Sequence, residues 1–371
     1  MRPHMRGSRS SGKAAPALSR TGIYASSCAA RYGVAMTGRL AEVAHKVGVS
    51  EATVSRVLNG KPGVSDATRD AVLTALDVLG YERPTKLRGE RAPLVGLVLP
   101  ELQNPIFPAF AEVVGGALAQ RGYTPVLCTQ TAGGISESDY VDFLLNQHVA
   151  GIVFVGGLYS QAAANHDHYA RMRELRLPAV FVSAAVEGLG IHNVTADDSV
   201  AIEQAWRHLA QLGHTRIGLA LGPADHVPSR RKLAAAERMA ARTSIALPPE
   251  FVEYSEYSLE AGQAAAARLV ERGVTAIICA SDPIALGAIR AVRRAGKQVP
   301  DDVSVIGYDD SALMPSIDPP LTTVRQPIDS MGRMVIDLLV KQIEGHAPPA
   351  DEYFFEPELV VRSSTARAKS P

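Results

Sequence analysis

The residues between Leu40 and Leu58 have types and spacing suited to reading nucleic acid. Ala44, Gly48 and Val54 stand four and then six residues apart, with Val43, Val47, Val49 and Val57 between and after them. A small residue on one helix lets a second helix approach, and glycine at the turn accepts a positive φ. An apolar residue on the second helix then packs back on the first, which is the economy of a helix-turn-helix. The second helix begins at Ser50, a good N-cap. Its outer face carries Glu51, Ala52, Ser55 and Arg56, with Asn59 following. Arginine can bond guanine O6 and N7 together, and hydroxyls and amides suit phosphate oxygens. A helix N-terminus at Ser50 also favours a phosphate. The plainer alternative is a helical hairpin with one solvated arginine.

Other chemistry is hard to place. The chain has no G-x-S-x-G elbow, no phosphate-loop signature and no G-x-G-x-x-G, so no enzyme and no cofactor are expected. The segment GGISES at 133–138 lacks the lysine of a phosphate loop. His166, Asp167 and His168 form the one local metal-like cluster, and that spacing reads better as a polar loop or helix face. Cys28, Cys128 and Cys279 are too scattered for a disulfide framework or a zinc site, and fit a reducing compartment. Cys128 and Cys279 read as small buried residues.

These residues need a scaffold, and 371 residues predict two or three domains. Apolar residues make up 46% and aromatics only 5%, so aliphatic side chains must pack the cores. No apolar run approaches the roughly 18 residues of a membrane span. The formal charge of zero hides a division, because residues 1–91 hold 15 Lys and Arg against 7 Asp and Glu. The front is therefore net +8 and the remainder net −8, as expected if one part meets a polyanion. Residues 1–36 read as a disordered basic tail without the apolar segment of an export signal. A transit peptide is a weak rival reading, and Met36 is an alternative start. Residues 37–82 read as three short helices, the third running over 66–79 to Gly80. Residues 83–92 read as a polar linker. From Pro93 to about residue 365, short apolar strands alternate with helices, which predicts an α/β body of two doubly wound parallel sheets. A single (β/α)8 barrel is the structural rival.

The stretches LAEVAHKVGVSEATVSRVLNG at 40–60 and VSDATRDAVLTALDVLGY at 64–81 resemble the DNA-binding headpiece of the LacI/GalR family. The likeness continues through NPIF at 104–107, LAQLGHTRIGLALGP at 209–223, SDPIALGAIRAVRRAGKQVPDDVSVIGYDD at 281–310 and PLTTVRQP at 320–327. It covers about residues 38–365. The resemblance implies a body of two periplasmic-binding-protein-like lobes joined by three crossovers, which decides against the barrel. One lobe would hold about 93–192 and 322–346, the other about 193–321 and 347–365. It further implies a cytoplasmic, nucleoid-associated transcription regulator, usually a repressor. Such a regulator acts as a homodimer on a pseudopalindromic operator and is controlled by a small effector, a sugar in many members.

By the same resemblance, Glu51, Ala52 and Arg56 read bases, while Ser50, Thr53, Ser55, Asn59, Ser65 and Thr68 contact the backbone. Glu51 could accept from cytosine N4, whereas Ala52 offers only a methyl contact. The linker RPTKLRGERA is shorter than the family's hinge helix, and Leu87 is its one candidate for a side chain wedged into the minor groove. In the effector cleft the resemblance points to Phe107 for stacking on a sugar and Asp282 for pairing with hydroxyls. Arg231 and Lys232 compete for the position of a family arginine. Asn104 reads as a turn residue, and Asp309 and Asp310 read equally as loop caps or cleft residues. Trp206 reads as helix packing.

Overall fold

The three helices of the front unit close on valine and alanine side chains small enough to let them approach. In this computed structural model the described residues are 42–58, 61, 63–78, 92–130, 133–185, 188–346 and 348–369. The chain divides into two units, Met1–Arg91 and Ala92–Pro371. In the first, residues 42–47 form helix α1, followed by α2 (Glu51–Leu58) and α3 (Asp66–Val78). Val43, Ala44, Val54, Val57, Val72 and Leu76 make one buried cluster. Gly48 takes φ +72°, and the Val49 amide donates to Ala44 O at 3.0 Å across the turn. Ser50 Oγ accepts from the Thr53 amide at 3.1 Å, and Ser65 Oγ from the Thr68 amide at 3.2 Å. Both serines therefore cap their helices. The expected tail at 1–36, the ends of the outer helices at Leu40 and Leu79, and the linker as far as Arg91 lie outside the described residues.

The second unit contains two six-stranded sheets. The first has the order β11-β5-β4-β3-β1-β2, from β1 (Leu94–Leu99), β2 (Thr124–Thr129), β3 (Gly151–Val155), β4 (Ala179–Val182), β5 (His192–Ala196) and β11 (Glu352–Phe355). The second has the order β12-β10-β9-β8-β6-β7. Its strands are β6 (Ile217–Leu221), β7 (Val252–Tyr254), β8 (Ala276–Cys279), β9 (Ser304–Asp309), β10 (Thr322–Arg325) and β12 (Glu358–Val360). All pairings are parallel except β10 with β12. The central strands β3 and β6 are buried throughout, as strands covered on both faces must be. The first lobe is covered by α4 (Ile106–Gln120), α5 (Glu137–Asn146), α6 (Asp167–Glu174) and α11 (Ile328–Ile343). The second carries α7 (Asp198–Gln211), α8 (Val227–Thr243), α9 (Leu259–Glu271) and α10 (Asp282–Arg294). The helices α9 and α10 touch at glycine, and a Cβ on Gly262 would stand 2.6 Å from Ile284 Cα. Trp206 is buried in the second lobe, its Nε1 donating to Thr243 Oγ1 at 3.0 Å, as expected of a packing residue.

The chain crosses between lobes three times, after β5, after β10 and after β11. Breaks near 192, 321 and 346 therefore require correction. Strands β5 and β11 belong to the first lobe and β10 to the second, because each completes its sheet before the chain crosses. Glu352 pairs in register with Asn193, and Thr322 with Ile306.

Candidate functional site

The outer face of α2 is set by what its inner face buries. Val54 and Val57 are fully buried, which turns Glu51, Ala52 and Arg56 outward into solvent. Thr53 and Ser55 are half-buried on the flanks. The hydroxyls of Ser50 and Thr53 lie 2.9 Å apart, and those of Ser65 and Thr68 2.8 Å apart, each pair at a helix start. A hydroxyl has one donor and two acceptor sites, so one mutual bond leaves capacity for a phosphate oxygen. Asn59 and Leu87 lie outside the described residues.

In the second unit a cavity of about 360 Å³ opens between the lobes at the carboxyl ends of both sheets. Ligands bind at such strand ends in doubly wound folds. From the first lobe come Asn104 after β1, Phe107 on α4, Ser160 after β3 and Ser183 after β4. From the second come Lys232 on α8, Tyr257 after β7, Ser281 after β8 and Asp309 ending β9. Phe107 is half-buried, and its ring comes so near Gly156, at φ +73°, that a Cβ there would stand 3.0 Å from Phe107 Cε1. The expected stacking face is therefore on the cleft wall. Asn104 sits at the turn into α4, where its Oδ1 accepts from the Ile106 amide at 3.4 Å, and the residue also lines the cleft.

Lys232 and Arg231 part company, because consecutive helical residues point about 100° apart. Lys232 turns into the cleft, pairs with Asp198, and holds its ammonium 4.0 Å from the centroid of the Tyr308 ring. Arg231 does not line the cleft. Its guanidinium grips Glu352 of the other lobe at 2.7 and 3.0 Å and lies over the Phe354 ring. It is a tie between lobes, and its place as an effector contact is withdrawn.

Asp282 is also corrected. It is fully buried in the first turn of α10 and does not line the cleft. One oxygen accepts from the Ser311 amide at 2.7 Å and Oγ at 2.8 Å, and the other from Thr323 Oγ1 at 2.6 Å. Burial pushes its carboxyl up to about 6 against these hydrogen bonds. Its work is to fix the loop after β9 to β10, while the preceding Ser281 faces the cleft. Of the two aspartates after Tyr308, Asp309 lines the cleft, whereas Asp310 is taken by Arg325 and Arg362, each at 2.7 Å. Tyr257, Ser183 and Gln326 were not anticipated, and no local pattern in the sequence marks them.

Among the described lining residues Lys232 is the one lysine or arginine, and Asp198 already neutralises it. Burial holds the Glu101 carboxyl above its ordinary value and the His226 imidazole below its own. The cleft therefore offers hydroxyl, amide, carboxyl and aromatic contacts without a free lysine or arginine among the described lining residues. His166 and His168 have structural partners. His166 Nε2 lies 3.0 Å from Leu158 O, and His168 Nε2 3.1 Å from the buried Glu137 carboxylate. No group of three or more possible metal ligands occurs among the described residues.

Comparison with known proteins agrees with this anatomy. Residues 39–84 match bacterial regulatory proteins of the lacI family, and residues 206–365 match a periplasmic binding protein-like domain. The HTH-type transcriptional regulator reg1 of Streptomyces lividans is 52% identical over 338 residues, covering 90% of this chain and 98% of that protein. The structure of a CelR–cellobiose complex is similar with TM-score 0.66 at 32% identity, covering 88% of this chain and 99% of that one. The lac repressor dimer bound to operator and the anti-inducer ONPF gives TM-score 0.68 at 28% identity over 87% and 98%. With a capped second helix in the first unit, a two-lobed cleft in the second, and a relative more than half identical over nearly its whole length, the chain belongs to the LacI family of helix-turn-helix transcriptional regulators.

Proposed function

We propose that this regulator is a homodimeric repressor, acting on the nucleoid in the cytoplasm, whose grip on a pseudopalindromic operator is set by a neutral sugar in the interlobe cleft. The observation that carries the reading is the cleft itself, with strand-end polar groups from both lobes, an aromatic face at Phe107 and a lysine already neutralised by Asp198. An anionic ligand such as a sugar phosphate would find no uncompensated partner there among the described residues. The solved structure of CelR, 32% identical, is a complex with cellobiose. Phe107 would stack on the sugar ring, and Lys232 would present a donor already oriented by Asp198 and Tyr308.

On the DNA side, Glu51, Ala52 and Arg56 would face base edges in the major groove. Ser50, Thr53, Ser55, Asn59, Ser65 and Thr68 would hold phosphates, and Leu87 would enter the minor groove. Two half-sites demand a fixed separation of the two headpieces, so a ligand that favours one lobe arrangement changes operator affinity through a population shift. A thermal-shift screen of the full chain against neutral mono- and disaccharides and their phosphates tests the ligand class. Stabilisation by a neutral sugar is expected, and stabilisation by phosphates alone would refute it.

A further inference from the structure

Glu137 opens α5 directly after its cap, Ser136, and is the one buried glutamate among the described residues. It does not line the cleft. A carboxyl taken out of water needs partners, and the partners show what it is for. Oε2 accepts from the Leu158 amide and from Gln130 Nε2, each at 3.1 Å. Oε1 accepts from the Tyr169 hydroxyl and faces His168 Nε2 at 3.1 Å. The Tyr169 oxygen in turn accepts from the Tyr159 amide at 3.0 Å. His166 Nε2 lies 3.0 Å from Leu158 O and 3.1 Å from Gln161 O. Both of these are carbonyls, so that nitrogen carries the proton and donates. Side chains from α5 and α6, and from the end of β2, thus converge on one short loop after β3.

That loop is part of the cleft wall, through Gly156, Gly157, Ser160 and Gln161. Its start is threaded between two side chains. A Cβ on Gly157, at φ +136°, would collide with Glu137 Oε2, and one on Gly156 would stand 3.0 Å from Phe107 Cε1. A shift of the carboxylate therefore passes through two residues that have no side chain to absorb it and reaches the Phe107 ring. The far end of the loop meets the other lobe. The Ala162 amide donates to Asp225 O at 3.1 Å, and Gln161 pairs antiparallel with His226. Those two residues lead into α8, the helix that presents Lys232 to the cleft.

We infer that Glu137 is a positioning residue for the effector cleft. Without touching the ligand, its carboxylate holds the loop 156–162 in the one shape that seats Phe107 on the cleft wall, turns Ser160 and Gln161 toward the cavity and docks Ala162 on the opposite lobe. The consequence for sugar binding rests on the carbohydrate reading above, whereas the shape of the loop does not.

Hydrogen exchange on the full chain without ligand tests the loop itself. Glu137→Leu should lose protection at the 158–162 amides by about tenfold or more, because the Leu158 amide loses its acceptor and the Tyr159 amide loses its anchored one. Glutamine can keep an oxygen on the Leu158 amide and turn its NH2 to Tyr169 and His168, both of which can accept, so Glu137→Gln should protect the loop as wild type does. Leu144→Ala empties a fully buried site elsewhere on α5 and should leave 158–162 protected. Unchanged protection in Glu137→Leu, or an equal loss in Leu144→Ala, would overturn the inference. If circular dichroism shows that Glu137→Leu does not fold, Tyr169→Phe carries the same test, since it removes the acceptor of the Tyr159 amide alone. Calorimetry with cellobiose and maltose then reads the effect on the cleft. Glu137→Leu should bind about tenfold more weakly, with Glu137→Gln and Leu144→Ala near wild type. Full affinity in a Glu137→Leu chain whose loop is exposed would overturn the link to the cleft. Failure of the wild-type chain to bind either sugar would count against the carbohydrate reading, and the exchange result would still decide the role of Glu137.

Discussion

Replacing Lys232 by methionine isolates the electrostatics of the cleft floor. The alkyl volume is nearly kept, so packing changes little. What is lost is the ammonium that pairs with Asp198, in a site where both side chains are 4% exposed. Removing one member of a buried pair strands the other charge, at a cost of about 3–5 kcal/mol. Burial already raises the Asp198 carboxyl above its ordinary value despite Lys232, and without the lysine it rises further. A carboxyl whose folded pKa exceeds its unfolded one binds more protons when folded, so stability falls as pH rises through the window between the two. The penalty of Lys232→Met should therefore grow as pH rises from about 4, the unfolded carboxyl value, toward the raised folded one, and shrink as the medium is acidified toward about pH 4. Urea unfolding followed on Trp206 reads this directly, since that single tryptophan lies buried in the same lobe. Adding Asp198→Asn should recover most of the loss. A Lys232→Met chain within about 1 kcal/mol of wild type at neutral pH, or equally destabilised in acid, would refute the reasoning.

Three other outcomes follow from the same geometry. Arg231→Ala and Glu352→Gln should couple by about 1 kcal/mol in a double-mutant cycle read by melting, because the pair is bidentate and only partly exposed; additive losses would mean that the tie carries nothing. Gly262→Ala should destabilise the second lobe by about 1–3 kcal/mol, as its Cβ would meet the backbone of α10; an unchanged urea midpoint would contradict the close approach of α9 and α10. Arg56→Ala should lose about 1–3 kcal/mol of discrimination between operator and scrambled duplex in fluorescence anisotropy while keeping non-specific binding, and preserved discrimination would remove Arg56 from the base-reading set.

The headpiece was legible because it obeys local rules. Val43, Ala44, Gly48, Val54 and Val57 declare the packing, and Ser50 and Ser65 declare the caps. The central strands were legible because parallel strands buried on both faces read as unbroken apolar runs, as in GIVFV of β3. Strands β5 and β10 do not read as apolar runs because most of their buried residues are polar. Asn193 Nδ2 donates to Glu352, distant in the chain, the Thr322 amide to Ser364 Oγ, and Thr323 Oγ1 to Asp282. Lobe boundaries shifted for the same reason. Of the residues expected in the cleft, Phe107 and Lys232 line the cavity, whereas Arg231 and Asp282 do not. Which of two adjacent residues faces a cavity depends on helix phase, and whether a carboxylate is free depends on partners such as Ser311 and Thr323 that sequence distance hides. Asp309 and Asp310 read alike in the sequence, because only the fold puts Asp309 on the cleft wall and Asp310 against Arg325 and Arg362.

The central claim is that Glu51–Leu58 docks on a specific DNA site under the control of what fills the interlobe cleft. Nuclease footprinting of the full chain on genomic fragments, with and without neutral sugars, tests it most directly. The account predicts a protected pseudopalindrome whose occupancy shifts when the right sugar is added. Absence of any protected palindrome under both conditions would contradict it.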